Sequence, residues 1–499
     1  MTHPQAGPTG TSSAPSGPSP APARARALPE AVAGARPIDV VEGFRDLPGL
    51  ALLESARPGR NARWTYFTAD PIAVLESPAA GPDPFAVARR LLARMAAVPA
   101  SRSGPEDAPV PPFLGGLVGF LGYDLGHSLE RLPSLAIDDQ ELPPLRLALH
   151  DWVVAWDRRS GTAWLGGRAL DGDERRLARR LDEVHARLTD GSAGRRPVGA
   201  VDERPEASAT LPFVSGVERP AYEAAVEAVR TRIAAGEIYQ ANLTRRLETP
   251  FSGAPWPRYR RLRTGDPSLF SAYLDLGPSP LTGQPRALLS ASPEPFLAVD
   301  RHGLVTSDPI KGTRPRGRDR AADRALAREL LASAKDRAEN VMIVDVLRND
   351  LGRVCRPGTV RVPRLCRLER TAAVQHLVST VTGVLADGRD PFDLLAASFP
   401  GGSITGAPKI RAMEILEELE PVRRGPYTGA LGWIGPDRAM QTSILIRTFV
   451  ADGRRLTLHV GGGITYRSDP AEEWDETVAK ARGPLSAIGG SEVAAVRAI

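Results

Sequence analysis

These 499 residues contain little cysteine, few aromatic side chains and no long apolar run. The two cysteines, Cys355 and Cys366, have neither metal-type spacing nor further partners, which excludes a disulfide framework and fits a reducing compartment. No apolar stretch approaches the roughly 18 residues of a membrane-spanning helix, and the N-terminus lacks the apolar core of a secretory signal. We therefore expect a cytoplasmic protein with no membrane partner.

Charge of both signs is spread along the chain. The formal net charge is +5, and no block of lysine or arginine lies beside interleaved aromatic residues. This distribution does not favour a nucleic-acid partner, and an anionic small substrate suits the arginines equally well. A non-enzymatic basic binding protein is therefore only a remote alternative to an enzyme.

Composition divides the chain into four segments. Residues 1–36 are mostly Pro, Ala, Gly, Ser and Thr, and we predict a disordered tail because they bury too little apolar surface to offset their ordering entropy. Residues 37–189 and 213–490 carry mixed runs of strand and helix patterns, which predict an α+β fold rather than a doubly wound sheet. Residues 190–212 are again rich in Gly, Pro, Ser and charge and are predicted to form a linker or surface loop.

The segment Ser307–Gly317 contains a lysine in an unusual setting. Lys311 lies between Ile310 and Gly312 rather than among polar residues, and Gly312 would let a ligand approach the backbone closely. A desolvated lysine close to other cations has a lowered pKa and can act as a nucleophile. A solvated lysine in a turn is the other interpretation, and these residues alone favour it.

Two predicted helices each carry a pair of carboxylates three residues apart, so that each pair shares one face. The first pair is Asp336 and Glu339, and the second is Glu473 and Glu476. Together they could hold a hard divalent cation such as Mg²⁺ through few protein oxygens plus water. Taken singly, each pair is more typical of a solvated helix face, and Lys480 could simply form an ion pair with the second.

Three further patterns indicate contacts to a ligand. In the predicted strand Ile238–Leu247, period-two alternation puts Gln240 and other uncharged polar groups on one face, as in a cavity wall. Gly461–Gly463 follow a strand and could expose N–H groups to a carboxylate or phosphate, although a tight turn has the same pattern. Phe399–Arg411 runs from a glycine turn into a helix and could bind an anion, whereas His376 is equally well a buried core histidine.

These motifs, in this order, resemble those of the chorismate-utilising enzymes. That family contains the large subunits of anthranilate synthase and aminodeoxychorismate synthase, with the isochorismate and salicylate synthases. The resemblance covers about residues 40–490 and implies one large fold of two packed, antiparallel-rich β-sheets flanked by helices. Both halves of the chain interleave in such a fold, so residues 190–212 would be an internal loop. The matching segments are Ile238–Thr244, Ser292–Phe296, Ser307–Gly317, Asp336–Asp350, His376–Thr380, Phe399–Arg411 and Gly461–Lys480.

The resemblance also implies roles for individual residues. Lys311 would be a covalent nucleophile, Glu294 a general acid and His376 a further catalytic residue. Mg²⁺ would be held by carboxylates of both predicted helices, namely Glu339 and Glu476 with Asp336 and Glu473 in support. Chorismate would be bound by Gln240, Thr313, Ser403, Tyr427, Arg447, Gly461, Gly462, Gly463 and Lys480.

Two positions distinguish the branches of this family. Isochorismate and salicylate synthases have a water-activating lysine where this chain has Gln240, which implies ammonia as the attacking species. Lys311 in a PIKGT segment resembles the aminodeoxychorismate synthases, whereas anthranilate synthases typically have alanine there. We therefore predict amination of chorismate at C4, toward 4-aminobenzoate and folate, with anthranilate synthesis as the nearest alternative.

Two further expectations follow from the resemblance. Neither cysteine lies in the nucleophile context of a glutaminase, which implies that ammonia comes from a separate glutamine amidotransferase subunit. Glu54 and Ser55 resemble the start of the tryptophan-binding pocket of related large subunits, although the rest of that pocket has no firm match in this sequence.

Overall fold

The computed structural model describes residues 23–59, 62–95, 101–103, 109–140, 142–190, 210–371 and 374–494. Its strands are β1 (Arg24–Ala27), β2 (Ala51–Glu54), β3 (Trp64–Thr68), β4 (Ala73–Leu75), β5 (Ser101–Ser103), β6 (Gly116–Leu121), β7 (Leu145–His150), β8 (Trp152–Asp157), β9 (Thr162–Gly167), β10 (Leu211–Ser215), β11 (Gln240–Pro250), β12 (Phe270–Pro278), β13 (Pro285–Ser292), β14 (Pro295–Val299), β15 (Leu304–Ser307), β16 (Ile310–Pro315), β17 (Arg361–Arg370), β18 (Val374–Val384), β19 (Gly406–Ala407), β20 (Ala430–Ile434), β21 (Met440–Ile444), β22 (Thr448–Ala451), β23 (Arg455–Ile464) and β24 (Gly490–Glu492). Its helices are α1 (Glu30–Ala33), α2 (Pro37–Val41), α3 (Ala86–Ala93), α4 (Gly126–Leu129), α5 (Glu174–Thr189), α6 (Arg219–Ala234), α7 (Pro255–Gly265), α8 (Arg320–Ala332), α9 (Ala334–Gly352), α10 (Pro391–Ser398), α11 (Lys409–Leu419) and α12 (Pro470–Ile488), with short 3-10 turns at Glu42–Phe44, Tyr123–Leu125 and Gly402–Ile404.

The strands form two large sheets. The first sheet has the order β24-β10-β11-β23-β22-β13-β12-β2-β3-β8-β9-β1-β5, and β19 pairs with β11. The second sheet has the order β16-β18-β15-β14-β21-β20-β6-β7-β4, and β17 pairs with β18. Each sheet joins strands from both halves of the chain, since β2 pairs with β12 and β6 pairs with β20. The predicted α+β fold of two packed, mostly antiparallel sheets with flanking helices is thus confirmed, and the two halves do interleave.

The inner faces of the two sheets share a core. One cluster of buried side chains combines Val153 and Ala272 of the first sheet with Val118 and Leu431 of the second. Alternation along each strand supplies these residues, because every second side chain points to the same face. Consecutive strands often belong to different sheets, as β13 and β14 do. At such crossings the chain brings polar residues to the space between the two sheets.

The N-terminal prediction was wrong for part of the tail. Residues 1–22 lie outside the described residues, but β1 pairs antiparallel with β9, and α1 follows it. Ala23 and Ala25 are buried, and Trp156 donates from Nε1 to the carbonyl of Val32 at 3.2 Å. The composition of this segment argues against a core of its own. Pairing with an existing sheet edge nevertheless satisfies its backbone, and its small side chains fit that edge closely.

The predicted loop at 190–212 lies mainly at positions 191–209, outside the described residues. Its last residues belong instead to the first sheet, because β10 begins at Leu211 and pairs with β11 and β24. Among the helices that the structure describes, none combines the length and the apolar character needed to cross a membrane.

Local capping fixes the two helices that carry the paired carboxylates. Ser333 precedes α9, and its side chain accepts a hydrogen bond from the Asp336 N–H. Asp469 precedes α12 and accepts from the N–H groups of Ala471 and Glu472, with Pro470 in the first turn. A side-chain oxygen at this position satisfies N–H groups that have no partner within the helix, so each acidic pair lies at a well-defined helix start.

Candidate active site

Lys311 lies on an irregular edge strand of the second sheet. The register of β16 against β18 shifts between Lys311 and Thr313, and Gly312 between them has φ +76°. A Cβ built on Gly312 would lie 2.9 Å from the Asp336 Cβ and 3.0 Å from Leu330. The prediction that Gly312 admits a ligand was therefore wrong, because the side chain of Asp336 on α9 occupies that space. Glycine is required here by both the backbone conformation and the packing.

The half-buried side chain of Lys311 points at the first sheet and at acidic groups. Its Nζ lies 3.7 Å from the position that a Cβ on Gly463 would occupy. Its positive charge acts to lower the pKa values of Glu294, Glu339 and Glu476, each of which lies on a different element, although burial raises the pKa of the first two overall. The structure thus brings the lysine together with carboxylates from both acidic helices and from the Ser292–Phe296 segment.

Glu294 lies where the chain crosses from β13 of the first sheet to β14 of the second. It is 8% exposed, and the Ser403 hydroxyl and the Ile310 N–H are near enough to its carboxyl group to act to lower its pKa. Burial raises the pKa of Glu294, and this effect outweighs the opposing effects of Lys311 and the two donors. A carboxyl group with a raised pKa holds its proton nearer to neutral pH, as a general acid requires.

The carboxylates of α9 and α12 differ in their electrostatic state. Burial raises the pKa of Glu339, and the negative charges of Asp336 and Glu476 add to that increase. Burial also raises the pKa of Glu473, which the Ser468 hydroxyl opposes by donating to Oε1 at 2.6 Å. Burial acts to raise the pKa of Glu476 as well, but the ammonium of Lys480, 2.6 Å away, lowers it overall.

These residues fit a weakly chelated cation better than a protein cage. No group of three or more His, Cys, Asp or Glu side chains converges on one point in the part of the chain that the structure describes. Asp336 is 3.2 Å from Arg314, which competes for its charge. Glu473 Oε2, however, is buried without a hydrogen-bond partner among the described residues. Because Mg²⁺ binds through one or two carboxylates with water and substrate oxygens, Glu339, Glu473 and Glu476 suit it.

The three consecutive glycines form a strand rather than the predicted N–H nest. Gly461, Gly462 and Gly463 pair with β11 in a regular antiparallel register. A Cβ on Gly463 would lie 2.4 Å from Gln240 Nε2, and one on Gly462 would lie 2.8 Å from Glu473 Oε2. The glycines therefore make room for functional side chains, and their contact with the substrate stays a prediction. The carbonyl of Gly461 accepts a hydrogen bond from Lys480 Nζ at 2.8 Å.

The opposite wall of the site carries His376, Thr313 and Arg447. His376 Nδ1 lies 2.9 Å from the Thr313 hydroxyl. Burial lowers the pKa of His376 to about 4, with help from the positive charges of Arg57 and Arg447. Its imidazole is therefore neutral at physiological pH and can donate or accept a single proton. Arg447 lies at the crossing from β21 to β22 with φ +49° and approaches Asp266 at 3.6 Å.

Two other predicted ligands of the substrate are buried polar residues. Gln240 is 1% exposed, and its Oε1 has no hydrogen-bond partner among the described residues. Tyr427 is buried with its ring stacked on His459 at a centroid distance of 5.0 Å, and burial raises the pKa of its phenol. An amide oxygen buried without a partner costs free energy, so a ligand that donates to Gln240 would recover it.

Comparison with known proteins identifies the family of this chain. The sequence pattern of the chorismate binding enzymes matches residues 52–486. The chain belongs to that family. An anthranilate synthase component 1 of Thermus thermophilus is 43% identical over 383 residues, which cover 77% of this chain and 79% of the relative. An aminodeoxychorismate synthase component 1 of Bacillus subtilis is 38% identical over 384 residues, 77% of this chain and 78% of the relative. The crystal structure of anthranilate synthase component I from Streptococcus pneumoniae matches with a TM-score of 0.71 and 27% identity, covering 86% of this chain and 93% of that one.

A second polar region of this chorismate-binding enzyme lies at Glu54 and Ser55, where the Glu54 side chain points to α7 and a small cavity lies on the other face of β2. The cavity there has a volume of about 50 Å³ and is lined by β2, β3 and β12 of the first sheet and by β20 and β21 of the second. Glu54 accepts from the Tyr259 hydroxyl at 2.7 Å and from two nitrogens of Arg263 at 2.6 and 2.9 Å. A cavity of this size holds only a few water molecules, so an amino acid would have to widen it.

Sequence reasoning missed one charged residue of the active site. Arg57 follows Glu54 and Ser55 in the loop after β2, and its charge acts on Arg447, Asp266 and His376. No spacing or periodicity pattern marks it, because its neighbours in the site come from distant parts of the chain. Only the pairing of β2 with β12 in the first sheet brings this loop to the site.

Proposed function

We propose that this chorismate-binding enzyme is component I of an aminodeoxychorismate synthase, which converts chorismate and ammonia to 4-amino-4-deoxychorismate, toward 4-aminobenzoate and folate. The observation that carries the proposal is the amine of Lys311 facing the glycine strand, with the buried Glu294, whose pKa burial raises, among its acidic neighbours. An amine at this position can act as a nucleophile, which the alanine that is typical of the anthranilate branch cannot do.

The chemistry uses the two residues in sequence. Glu294 donates its proton to the C4 hydroxyl, which leaves as water, because an unprotonated hydroxyl is a poor leaving group. The Lys311 amine attacks C2, both ring double bonds shift, the C4–O bond breaks, and the lysine nitrogen becomes a secondary ammonium. Ammonia then adds at C4, both double bonds shift back, and the C2–N bond breaks, which returns the Lys311 amine and leaves the new C4 nitrogen as an ammonium group. Two allylic displacements thus replace one difficult substitution.

Other groups bind and orient the substrate. Glu339, Glu473 and Glu476 would hold Mg²⁺, which neutralises the ring carboxylate of chorismate. Gln240 cannot act as the base that activates water, so its amide favours ammonia over water as the attacking species. Neutral His376, fixed by Thr313, supplies a hydrogen bond without adding a charge. Ser403 would help to orient the carboxyl group of Glu294, whose pKa it acts to lower.

We propose that ammonia comes from a separate glutamine amidotransferase subunit. Both cysteines are buried, and burial raises the pKa of the Cys355 thiol to about 11. A thiol in that state is a poor nucleophile, which argues against a glutaminase centre at either cysteine. The relatives named component 1 carry the name of one part of a larger synthase.

The second candidate is component I of an anthranilate synthase. The observation in its favour is the 43% identity to a relative of that name, together with the cavity at Glu54 and Ser55. That enzyme would aminate chorismate at C2 and then eliminate pyruvate. Lys311 then has no role as a nucleophile, which is why we favour C4 chemistry.

Product analysis separates the two candidates. The protein is incubated with chorismate, Mg²⁺ and an ammonium salt, and products are separated by chromatography. We expect 4-aminobenzoate only after an aminodeoxychorismate lyase is added, and anthranilate appearing without a lyase would overturn the proposal. Omitting ammonia and analysing the intact protein by mass spectrometry should reveal a substrate adduct, with peptide mapping to Lys311.

A further inference from the structure

Two guanidinium groups near His376 share one carboxylate. Arg447 Nη1 lies 3.6 Å from Asp266 Oδ1, and the charges of both Arg447 and Arg57 act on Asp266. The Nε atom of Arg57 is buried and has no hydrogen-bond partner among the described residues. Burial and the repulsion from Arg447 both lower the pKa of Arg57, more than Asp266 raises it. This corner of the active site therefore holds an excess positive charge.

The arrangement differs from that of two partly buried arginines that are fully paired. Arg63 forms a bidentate pair with Asp157, and Arg263 forms one with Glu54. Burying an unpaired guanidinium costs free energy that such pairs avoid. Half-buried Arg57 has only the charge of Asp266, which Arg447 also approaches, to offset this cost, and its Nε has no hydrogen-bond partner among the described residues, as expected where a ligand completes the pairing.

Both guanidiniums are presented by fixed backbone. The loop before Arg57 is held by Arg158, which donates to the carbonyls of Ser55 and Arg57, and by the Ala56 N–H, which donates to the Ser268 carbonyl at 2.9 Å. Arg447 has a left-handed backbone conformation, and its carbonyl accepts from the Ala291 N–H at 3.0 Å. A non-glycine residue in that conformation is uncommon and costs free energy unless its surroundings fix it. The two charges are thus held close together despite their repulsion.

We infer that Arg57 and Arg447 together bind one carboxylate of the substrate, and that Arg57 is a substrate-binding residue. The inference rests on the proposed use of chorismate, which has two carboxylates. The ring carboxylate is assigned to the cation end near Glu339 and Glu476, so the enolpyruvyl carboxylate is the one available to the arginine pair. Two guanidiniums can bind both of its oxygens and balance the excess charge at this corner.

Steady-state kinetics with chorismate and ammonium salt test the inference. Arg57→Gln should raise KM for chorismate by roughly tenfold to a hundredfold, the range for loss of a hydrogen bond to a charged group, with kcat changed little. Arg57→Lys, which keeps the charge, should recover part of the loss. A purely structural role would reduce the active fraction and leave KM unchanged.

A substrate analogue identifies the carboxylate that is bound. Chorismate esterified on the enolpyruvyl carboxylate should bind the unaltered enzyme far more weakly than unesterified chorismate, whereas an ester on the ring carboxylate should lose the same factor in the unaltered enzyme and in Arg57→Gln. In Arg57→Gln, the affinity penalty of the enolpyruvyl ester should shrink by the same factor as the rise in KM. An unchanged penalty would contradict the assignment of Arg57 to this carboxylate.

The matched control is Arg367→Gln, which removes an exposed arginine of β17 and the same net charge. It should leave KM unchanged, and thermal unfolding should confirm that both variants fold. An equal KM for Arg57→Gln and the unaltered enzyme overturns the inference alone. Failure of the unaltered enzyme to consume chorismate overturns the proposed function and, with it, this inference.

Discussion

The active site at Lys311 and the region of Glu54, where β2 meets α7, both hold buried carboxyl groups, but their surroundings differ. Glu54 receives three hydrogen bonds, two of them from Arg263 in a bidentate pair. Glu294, Glu339 and Glu473 all have raised pKa values because burial outweighs their stabilising contacts. The first region therefore keeps its groups electrostatically unsatisfied, and the second satisfies its carboxylate within the protein.

This difference separates a reacting site from a binding or structural one. Groups with perturbed pKa values concentrate where protons and nucleophiles are used, because the same burial that destabilises a charge makes it reactive. A fully paired carboxylate contributes shape and a fixed partner but no proton near neutral pH. We therefore expect substitutions at the Lys311 site to reduce turnover with little effect on stability. Substitutions at Glu54 should reduce stability with little effect on turnover.

Replacing Lys311 should give the largest loss of activity. Lys311→Ala removes the nucleophile, and we expect C4 amination to fall by on the order of 10³-fold or more, as with other covalent nucleophiles. Product chromatography measures the loss and detects any residual anthranilate from amination at C2. Lys311→Arg is the control, since it keeps the positive charge but should form no adduct. Unimpaired turnover by either variant would contradict a covalent role.

Replacing Glu294 tests whether its carboxyl group supplies a proton during the reaction. Glu294→Gln should lower kcat by about 10²–10⁴-fold, the usual contribution of a general acid. Because burial raises the pKa of Glu294 above its ordinary value of 4.5, kcat of the unaltered enzyme should fall as pH rises through that raised pKa. The variant has no proton to lose there, so its pH profile should lack this alkaline limb. If kcat of both enzymes falls at the same alkaline pH, the titrating group is not Glu294.

The sequence predicts those parts of the active site that lie in long motifs, and it does not predict those that short patterns leave open. Lys311, Glu294 and the acidic pairs lie in long motifs, so the resemblance located them, and the sheet architecture came with it. The conformation of Gly461–Gly463 did not follow, since a strand and a turn share the same three letters. Arg57 was missed because only strand pairing between distant segments brings it to the site.

Packing between elements explains the other differences. Gly312 has a positive φ, as glycine permits, but the space above it is taken by Asp336 from the next helix but one along the chain. Local sequence indicates the backbone freedom and not what fills the space. The β1 segment, rich in alanine, was assigned to a disordered tail because composition does not reveal an available sheet edge.

Replacing an acidic residue at the proposed cation site should reduce activity less than replacing Lys311 or Glu294. Glu473→Gln keeps the acceptor for the Ser468 hydroxyl but neutralises the carboxylate whose second oxygen has no partner. We expect the Mg²⁺ concentration for half-maximal activity to rise by roughly 10–100-fold, as for loss of a supporting group at a metal site. Glu472→Gln, on the exposed face of the same helix, is the matched control. If chelation by EDTA leaves activity intact, Mg²⁺ has no part in turnover.

Replacing Glu54 should have the smallest effect on turnover. Glu54→Gln leaves the guanidinium of Arg263 without its charge partner, although Arg263 remains 19% exposed and water can compensate in part. We expect a loss of about 2–4 kcal/mol in the free energy of unfolding, below the full cost of an orphaned buried ion. The value of kcat should change less than twofold. Chemical denaturation and steady-state kinetics on the same preparation measure both quantities. The double variant with Arg263→Gln should recover much of the stability, because no buried charge is then left unpaired. A large drop in kcat of Glu54→Gln with unchanged stability would contradict this prediction and make Glu54 part of the reacting site.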